Sequence, residues 1–125
     1  MGEEKRIIFF TNLLAWQKGH QLVILIYKTT ESFPERETFA LINQMRRAAV
    51  SITSNIAEGF SRKSLKEKVQ FYYTALGSLT EVQNQLLVAR GVGYLRENKF
   101  KDIILLSEEV AKLINGLIRS LKSSL

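Results

Sequence analysis

The residues best suited to chemistry are basic and close together. The stretch "SRKSLKEK" holds Arg62, Lys63, Lys66 and Lys68, and Arg47 precedes it by about four helical turns. Guanidinium forks and lysine ammoniums bind phosphate oxygens, the forks in bidentate fashion and the ammoniums as point charges. No base-reading signature of the RNA-recognition, KH or zinc-finger kind accompanies them, so the expected contact is with a nucleic-acid backbone and carries little sequence preference.

Catalytic constellations are harder to assemble. The one histidine, His20, lies beside Lys18, and there is no cysteine or second histidine to build a triad or a metal site with it. Neither a phosphate-binding glycine loop nor the paired Glu-x-x-His motifs of di-iron bundles occur. Glu58 beside Gly59 has the type of a general base, but a salt bridge to Arg62 one helical turn away suits it better. The chain is therefore expected to be non-catalytic, with no cofactor and no metal.

The elements that must position these residues are helices. The chain has 125 residues, 46% of them hydrophobic and 24% charged, and a single proline. That length supports one core, that composition is globular, and scarce proline suits long helices. The formal net charge of +6, with a pI near 9.7, favours acidic partners, nucleic acid before membrane. The lack of cysteine suits a reducing cytoplasm. No apolar run approaches the ~20 residues that span a bilayer. Glu3 and Glu4 argue against a secretory leader, and Arg6 stands where a myristoylation motif needs Ser or Thr.

Apolar residues recur at helical spacing in four blocks, predicting helices over 13–32, 39–59, 65–91 and 98–122 in a single domain spanning 1–125, with 1–11 as an N-terminal extension. The first helix carries Trp16, Val23, Ile26, Tyr27, Thr30 and Phe33, with Thr11 or Asn12 as its cap. The second carries Ile42, Met45, Ala49, Ile52, Ile56 and Phe60, and stops near Gly59. The third opens with Ser64 and Glu67 as a capping box, buries Leu65, Val69, Tyr72, Leu76, Leu79 and Leu86, and ends at Gly91 or Gly93. The fourth buries Ile103, Leu106, Val110, Leu113, Leu117 and Leu121. Short connections make neighbours antiparallel, so the fold class is all-α, an up-down-up-down four-helix bundle. Leu22, Ile24 and Leu25, with Ile104 and Leu105, are surplus to the main stripes. They either thicken the core or meet another subunit, and subunit contact is the favoured use.

The second helix contains "QMRRAAVSITSNIAEGFSR", whose middle is crowded with poor helix formers. At 100° per residue its apolar positions fall on one side, and Arg47, Ser51, Ser54, Asn55, Glu58 and Arg62 on the other. A merely solvated face favours long Lys and Glu, whereas short side chains let a backbone or a phosphate come close. Ser51, Ser54 and Asn55 are thus candidate oligomer or partner contacts.

Three segments, "LLAWQKGHQLVILIYKTTESFP", "QMRRAAVSITSNIAEGFSRKSLKE" and "FYYTALGSLTEVQNQLLVARGVGYL", resemble the bacterial 23S ribosomal RNA intervening-sequence protein family, also called four-helix bundle proteins. The likeness runs from about Asn12 to Lys122. Thr53 stands where the family often has Pro, so no proline bend is implied at mid-helix. The resemblance implies an antiparallel four-helix bundle assembled as a homopentamer. A related group, the accessory variability determinants of diversity-generating retroelements, implies basic pentamers that bind nucleic acid and a protein partner.

Antiparallel order gathers the basic stretch with the two chain termini, leaving about +4 of the net charge at that end of the bundle. The expected function is a non-catalytic, oligomeric, nucleic-acid-binding bundle. The alternative is a scaffold that binds a protein partner and no nucleic acid.

Overall fold

The computed structural model describes residues 9–124. Most of the expected N-terminal extension, including Glu3, Glu4, Lys5 and Arg6, lies outside the described residues. Four helices build the chain: α1 (Leu14–Thr30), α2 (Asn43–Ser61), α3 (Leu65–Gly91) and α4 (Glu97–Lys122). No strand occurs among the described residues. Side-chain contacts give the directions. Arg46 bonds to Thr30 at one end of the α1–α2 pair, while Gly19 faces Thr53 and Ile56 further along. Gly59 meets Tyr72 and Ser51 meets Ser78. Lys122 reaches Tyr73, and Gln83 reaches Ser107. Each rising number on one helix is matched by a falling number on the next, so α1 to α4 run up, down, up, down.

Helix ends follow local chemistry. Neither Thr11 nor Asn12 caps α1. A 3₁₀ turn over Phe10–Asn12 leads into an N-cap at Leu13 that makes no side-chain bond. The α1–α2 connection contains a π-type turn, Thr38–Ile42, with Ala40 at φ −123° and ψ −105°. Gly59 does not stop α2, which continues to Ser61; its role is close packing, because a Cβ there would lie 2.7 Å from Cε1 of Tyr72. Ser64 caps α3 by accepting the Glu67 amide at 3.2 Å. At the far end of α3, Gly93 takes φ +87°, its amide bonds the Arg90 carbonyl, and the Tyr94 amide bonds the Ala89 carbonyl. That is the Schellman pattern, and its left-handed position suits glycine.

The core is continuous along the bundle. On α2 the expected Ile42, Met45, Ala49, Ile52 and Ile56 are all buried. On α4 the buried line is Phe100, Ile103, Ser107, Val110, Ile114 and Ile118, with Leu106, Leu113, Leu117 and Leu121 half-buried beside it. Ile103 and Val110 of the expected stripe lie on this line, and its four leucines form one flank of it. Leu22 is 0% exposed and belongs to the core. It cannot meet another subunit, which corrects its assignment as an oligomer contact. Ile24 is exposed and Leu25 half-buried, so these two do reach the surface. Tyr27, expected inside, is exposed and lies beneath the Arg46 guanidinium. Thr53 bonds the Val50 carbonyl and α2 passes through it unbroken.

Candidate nucleic-acid interface

The polar side of α2 divides into two edges. Ser51 Oγ lies 2.8 Å from Ser78 Oγ of α3, and Asn55 Nδ2 donates back to the Ser51 carbonyl and hydroxyl. These short side chains allow two helices of the same chain to approach, and the hydroxyl pair satisfies polar groups in the seam. Ser51 and Asn55 therefore make intrachain bonds, and both remain half-buried, with Ser51 lining the surface hollows beside Arg47. The outer edge is different. Asn43, Arg47, Val50, Ser54 and Ser61 are exposed along one line, with Ala57 half-buried between them.

The basic residues near the α2–α3 turn are in unequal states. Arg62 is paired with Glu58 at 2.8 Å and Glu67 at 3.8 Å, and its guanidinium lies 4.8 Å from the Phe71 ring centroid. Lys68 donates to the Phe60 carbonyl at 2.6 Å and to the Gly59 carbonyl at 3.4 Å. It binds carbonyls at the end of α2, sharing that of Gly59 with the Arg62 amide, and sits favourably at the negative end of that helix. Burial holds its pKa below the ordinary lysine value. Lys68 is thus a helix cap, which corrects its placement in a free phosphate-binding cluster. Lys63 and Lys66 are exposed, and no ion pair engages them among the described residues.

Arg47 is not brought to this cluster. It lies on α2 about sixteen residues from Lys63, roughly 24 Å along the axis. Its neighbour Arg46 donates to Thr30 Oγ1 at 3.0 Å and to the Tyr27 carbonyl at 3.2 Å, which anchors the guanidinium over Tyr27. Arg46, Arg47, Asn43, Ser54 and Tyr27 line one shallow surface hollow.

Counting by bundle end corrects the expectation of a single basic end. Among the described residues, the terminal end, at the start of α1 and the end of α4, holds Arg62, Lys63, Lys66, Lys68, Arg119 and Lys122 against Glu58 and Glu67, six bases to two acids. The loop end, formed by the α1–α2 and α3–α4 connections, holds Lys28, Arg36, Arg46, Arg47, Arg90, Arg96, Lys99 and Lys101 against Glu31, Glu35, Glu37, Glu97 and Asp102, eight to five. Both ends are basic and the middle is slightly acidic. The same tally by helix ends was within reach of the sequence, but the compact "SRKSLKEK" run drew attention away from bases scattered over two connections.

His20 stacks on Trp16 with centroids 4.8 Å apart and an interplanar angle of 10°. Glu58 makes the expected pair with Arg62. Among the described residues no group of three His, Cys, Asp or Glu side chains converges as a metal site. No helix among the described residues is long and apolar enough to cross a membrane. Tyr72 is buried, while Tyr73 is exposed and accepts a bond from Lys122.

With this geometry in place, the chain was compared with known proteins. Residues 11–116 match the family model described as 23S rRNA-intervening sequence protein. The chain belongs to that family. A crystal structure of a protein of unknown function from the S23 ribosomal protein family of Bacteroides thetaiotaomicron superposes with a TM-score of 0.75 at 23% identity, covering 84% of this chain and 98% of that one. No curated protein matches. Membership in the intervening-sequence family and the solved bundle agree with the four-helix fold. They leave the role of the basic residues to be argued from this chain's own geometry.

Proposed function

We propose that this bundle is a non-catalytic binding module that lies along a nucleic-acid backbone with the outer edge of α2. The observation that carries the reading is the line from Arg46 and Arg47, through Val50, Ser54, Ala57 and Ser61, to Lys63 and Lys66. Uncharged side chains lie between two basic clusters; of the acids beside the line, Glu58 is tied to Arg62, while Glu81 shares a hollow with Arg47 and accepts from Gln85. A separation of about 24 Å corresponds to roughly seven base steps of B-form duplex. Contacts of this kind position a backbone and read no bases. The test is fluorescence anisotropy with labelled RNA and DNA duplexes over a salt series. The Arg47→Ala, Lys63→Ala, Lys66→Ala triple variant should keep its fold, bind every sequence more weakly, and lose about 2.7 from the log–log salt slope on DNA, at about 0.9 per phosphate contact. Wild-type protein that fails to bind at low salt, or a variant with an unchanged slope, would overturn the proposal.

Homo-oligomerisation, as a pentamer on the pattern of the related bundles, is part of the same proposal, and so is a cytoplasmic location. Exposed Ile24, half-buried Leu25 and Leu106 line a mostly apolar hollow between α1 and α4, and a second copy would cover it. Light scattering after size exclusion should give a multiple of 14.3 kDa; a monomer at micromolar concentration would exclude it. A second reading, a scaffold for a protein partner, is favoured by Phe39, 92% exposed on the π-type turn. Partners recovered from the host after nuclease treatment would support that reading instead.

A further inference from the structure

Phe39 is the most exposed large apolar side chain among the described residues, at 92%. The segment that carries it is nevertheless held in place. The Thr38 hydroxyl donates to the Glu35 carbonyl at 2.7 Å. The Glu37 carboxylate accepts from the Leu41 amide at 3.4 Å and from the Tyr94 hydroxyl at 2.8 Å. Leu41 is half-buried and Ile42 buried. Residues on both sides of Phe39 are thus tied to the bundle while the ring stands in solvent. A segment ordered before binding loses little freedom on docking, and a projecting aromatic ring is the kind of anchor that dominates an interface.

What the ring fits lies on the other side of the bundle. Helix α1 packs against α2 and α4, and α3 packs against the same two, so the α2–α3 and α1–α4 faces are opposite one another. Phe39 stands by the α2–α3 face, where it shares a hollow with Gln44, Ala48 and Glu81. The α1–α4 face carries the mostly apolar hollow of His20, Gln21, Ile24, Leu25, Lys28 and Leu106. Both features are centred in the loop-end half of the bundle. Charge agrees with shape. The connection that bears Phe39 holds Glu31, Glu35 and Glu37 against one base, Arg36. Beneath the ring, Arg47 and Glu81 offset one another. No acid lines the α1–α4 hollow, and Lys28 in its wall has no ion pair among the described residues. Glu109 of α4 is taken by Lys18 at 3.5 Å. A ring on one face cannot reach a hollow on the opposite face of its own chain, so the two meet only between copies.

We infer that Phe39 of one copy seats in the α1–α4 hollow of the next, against Ile24, Leu25 and Leu106, with its acidic connection beside Lys28. The inference rests on the homo-oligomer reading and names the contact that builds the assembly; it does not depend on nucleic-acid binding. Knob and hollow are different patches, so the contact runs head to tail. Contacts of that kind close into rings of any number, odd ones included, whereas a patch that pairs with itself gives two-fold pairs.

Complementation between two full-chain variants tests it. Phe39→Ala removes the knob and keeps the hollow, while Ile24→Glu blocks the hollow and keeps the knob. Both positions are exposed, so both variants should retain the helical circular dichroism of the wild type. In sedimentation equilibrium the wild type should assemble, and each variant alone should need at least about thirtyfold more protein to do so, the scale of one buried aromatic anchor. Mixed at high micromolar concentration, the two should form a heterodimer of twice 14.3 kDa and nothing larger, because one intact knob meets one intact hollow and no further contact is left. Lys28→Glu makes the hollow repel the acidic connection and should weaken wild-type assembly severalfold. Assembly that persists undiminished in Phe39→Ala or in Lys28→Glu would overturn the inference and leave the homo-oligomer reading standing. So would two dissociated variants that form no heterodimer on mixing. Wild-type protein that stays monomeric would overturn both, and would leave Phe39 to a different protein partner.

Discussion

The two ends of the bundle carry similar net charge and use it differently. At the terminal end three of the six cations among the described residues are spent on the protein itself. Lys68 closes the carbonyls of α2, Arg62 bridges Glu58 and Glu67, and Lys122 sits on Tyr73. At the loop end Lys28, Arg96 and Lys99 line an open hollow and take part in no ion pair among the described residues. The difference is one of covalent economy and packing. A short α2–α3 turn forces α2 and α3 together, so their polar groups satisfy one another. At the other end the longer α1–α2 connection carries Glu31, Glu35, Arg36 and Phe39 exposed to solvent. Net charge alone does not separate a cap from a binding site; the state of each donor does.

The comparison predicts that the terminal end is the tightly packed one, and the largest effect tests this. Gly59→Ala places a methyl 2.7 Å from Tyr72 Cε1, 3.0 Å from Cδ1 and 3.1 Å from Phe71 Cβ. Tyr72 is 3% exposed and has little room to retreat. The substitution should cost about 1–3 kcal/mol in urea unfolding, the range for an overpacked core. Gly77→Ala on α3 is the control. Nothing lies within 4 Å of its Cβ position, so it should stabilise by about 0.5–1 kcal/mol, the helix preference for alanine. If Gly59→Ala is as benign as Gly77→Ala, the end is looser than its geometry shows.

How much of this was legible follows from which residues announce themselves. On α2 the apolar stripe is strict, and every expected core residue from Ile42 to Ile56 is buried. On α4 the inner line passes through Ser107, which bonds the Ile104 carbonyl and accepts from Gln83. A serine at the centre of a core line disguises it, and the leucines alongside drew the expected stripe onto the flank. Leu22 was misplaced for the related reason that α1 is apolar over a wide arc, so periodicity cannot say which part faces inward. The candidate site divides the same way. Lys63 and Lys66 were identifiable as exposed bases. That Lys68 is a cap and that Ser51 bonds Ser78 depends on how close α2 and α3 come, which residue type does not encode.

The smallest effects sharpen the comparison most, because they separate spent cations from free ones within one short stretch. Lys68→Met should lower stability by about 0.5–1 kcal/mol, since it removes a cation from the end of α2 and takes its donor from the Phe60 carbonyl, while its methylenes are replaced in kind. Its effect on the salt slope of DNA binding should be near zero, because the ammonium is already occupied by Phe60 and Gly59. Arg62→Ala removes a half-exposed ion pair and should change stability by less than about 1 kcal/mol. To reach a phosphate, Arg62 must first leave Glu58, so its slope change should also fall well short of a full contact. Lys63→Ala, by contrast, should remove close to the full ~0.9 expected for one released counterion. Measured as single variants on one duplex across one salt series, the three give an order: Lys63 first, Arg62 well below it, Lys68 last. Equal slopes for all three would mean that the intramolecular bonds of Arg62 and Lys68 yield to phosphate at no cost, and the distinction between the two ends would then fail.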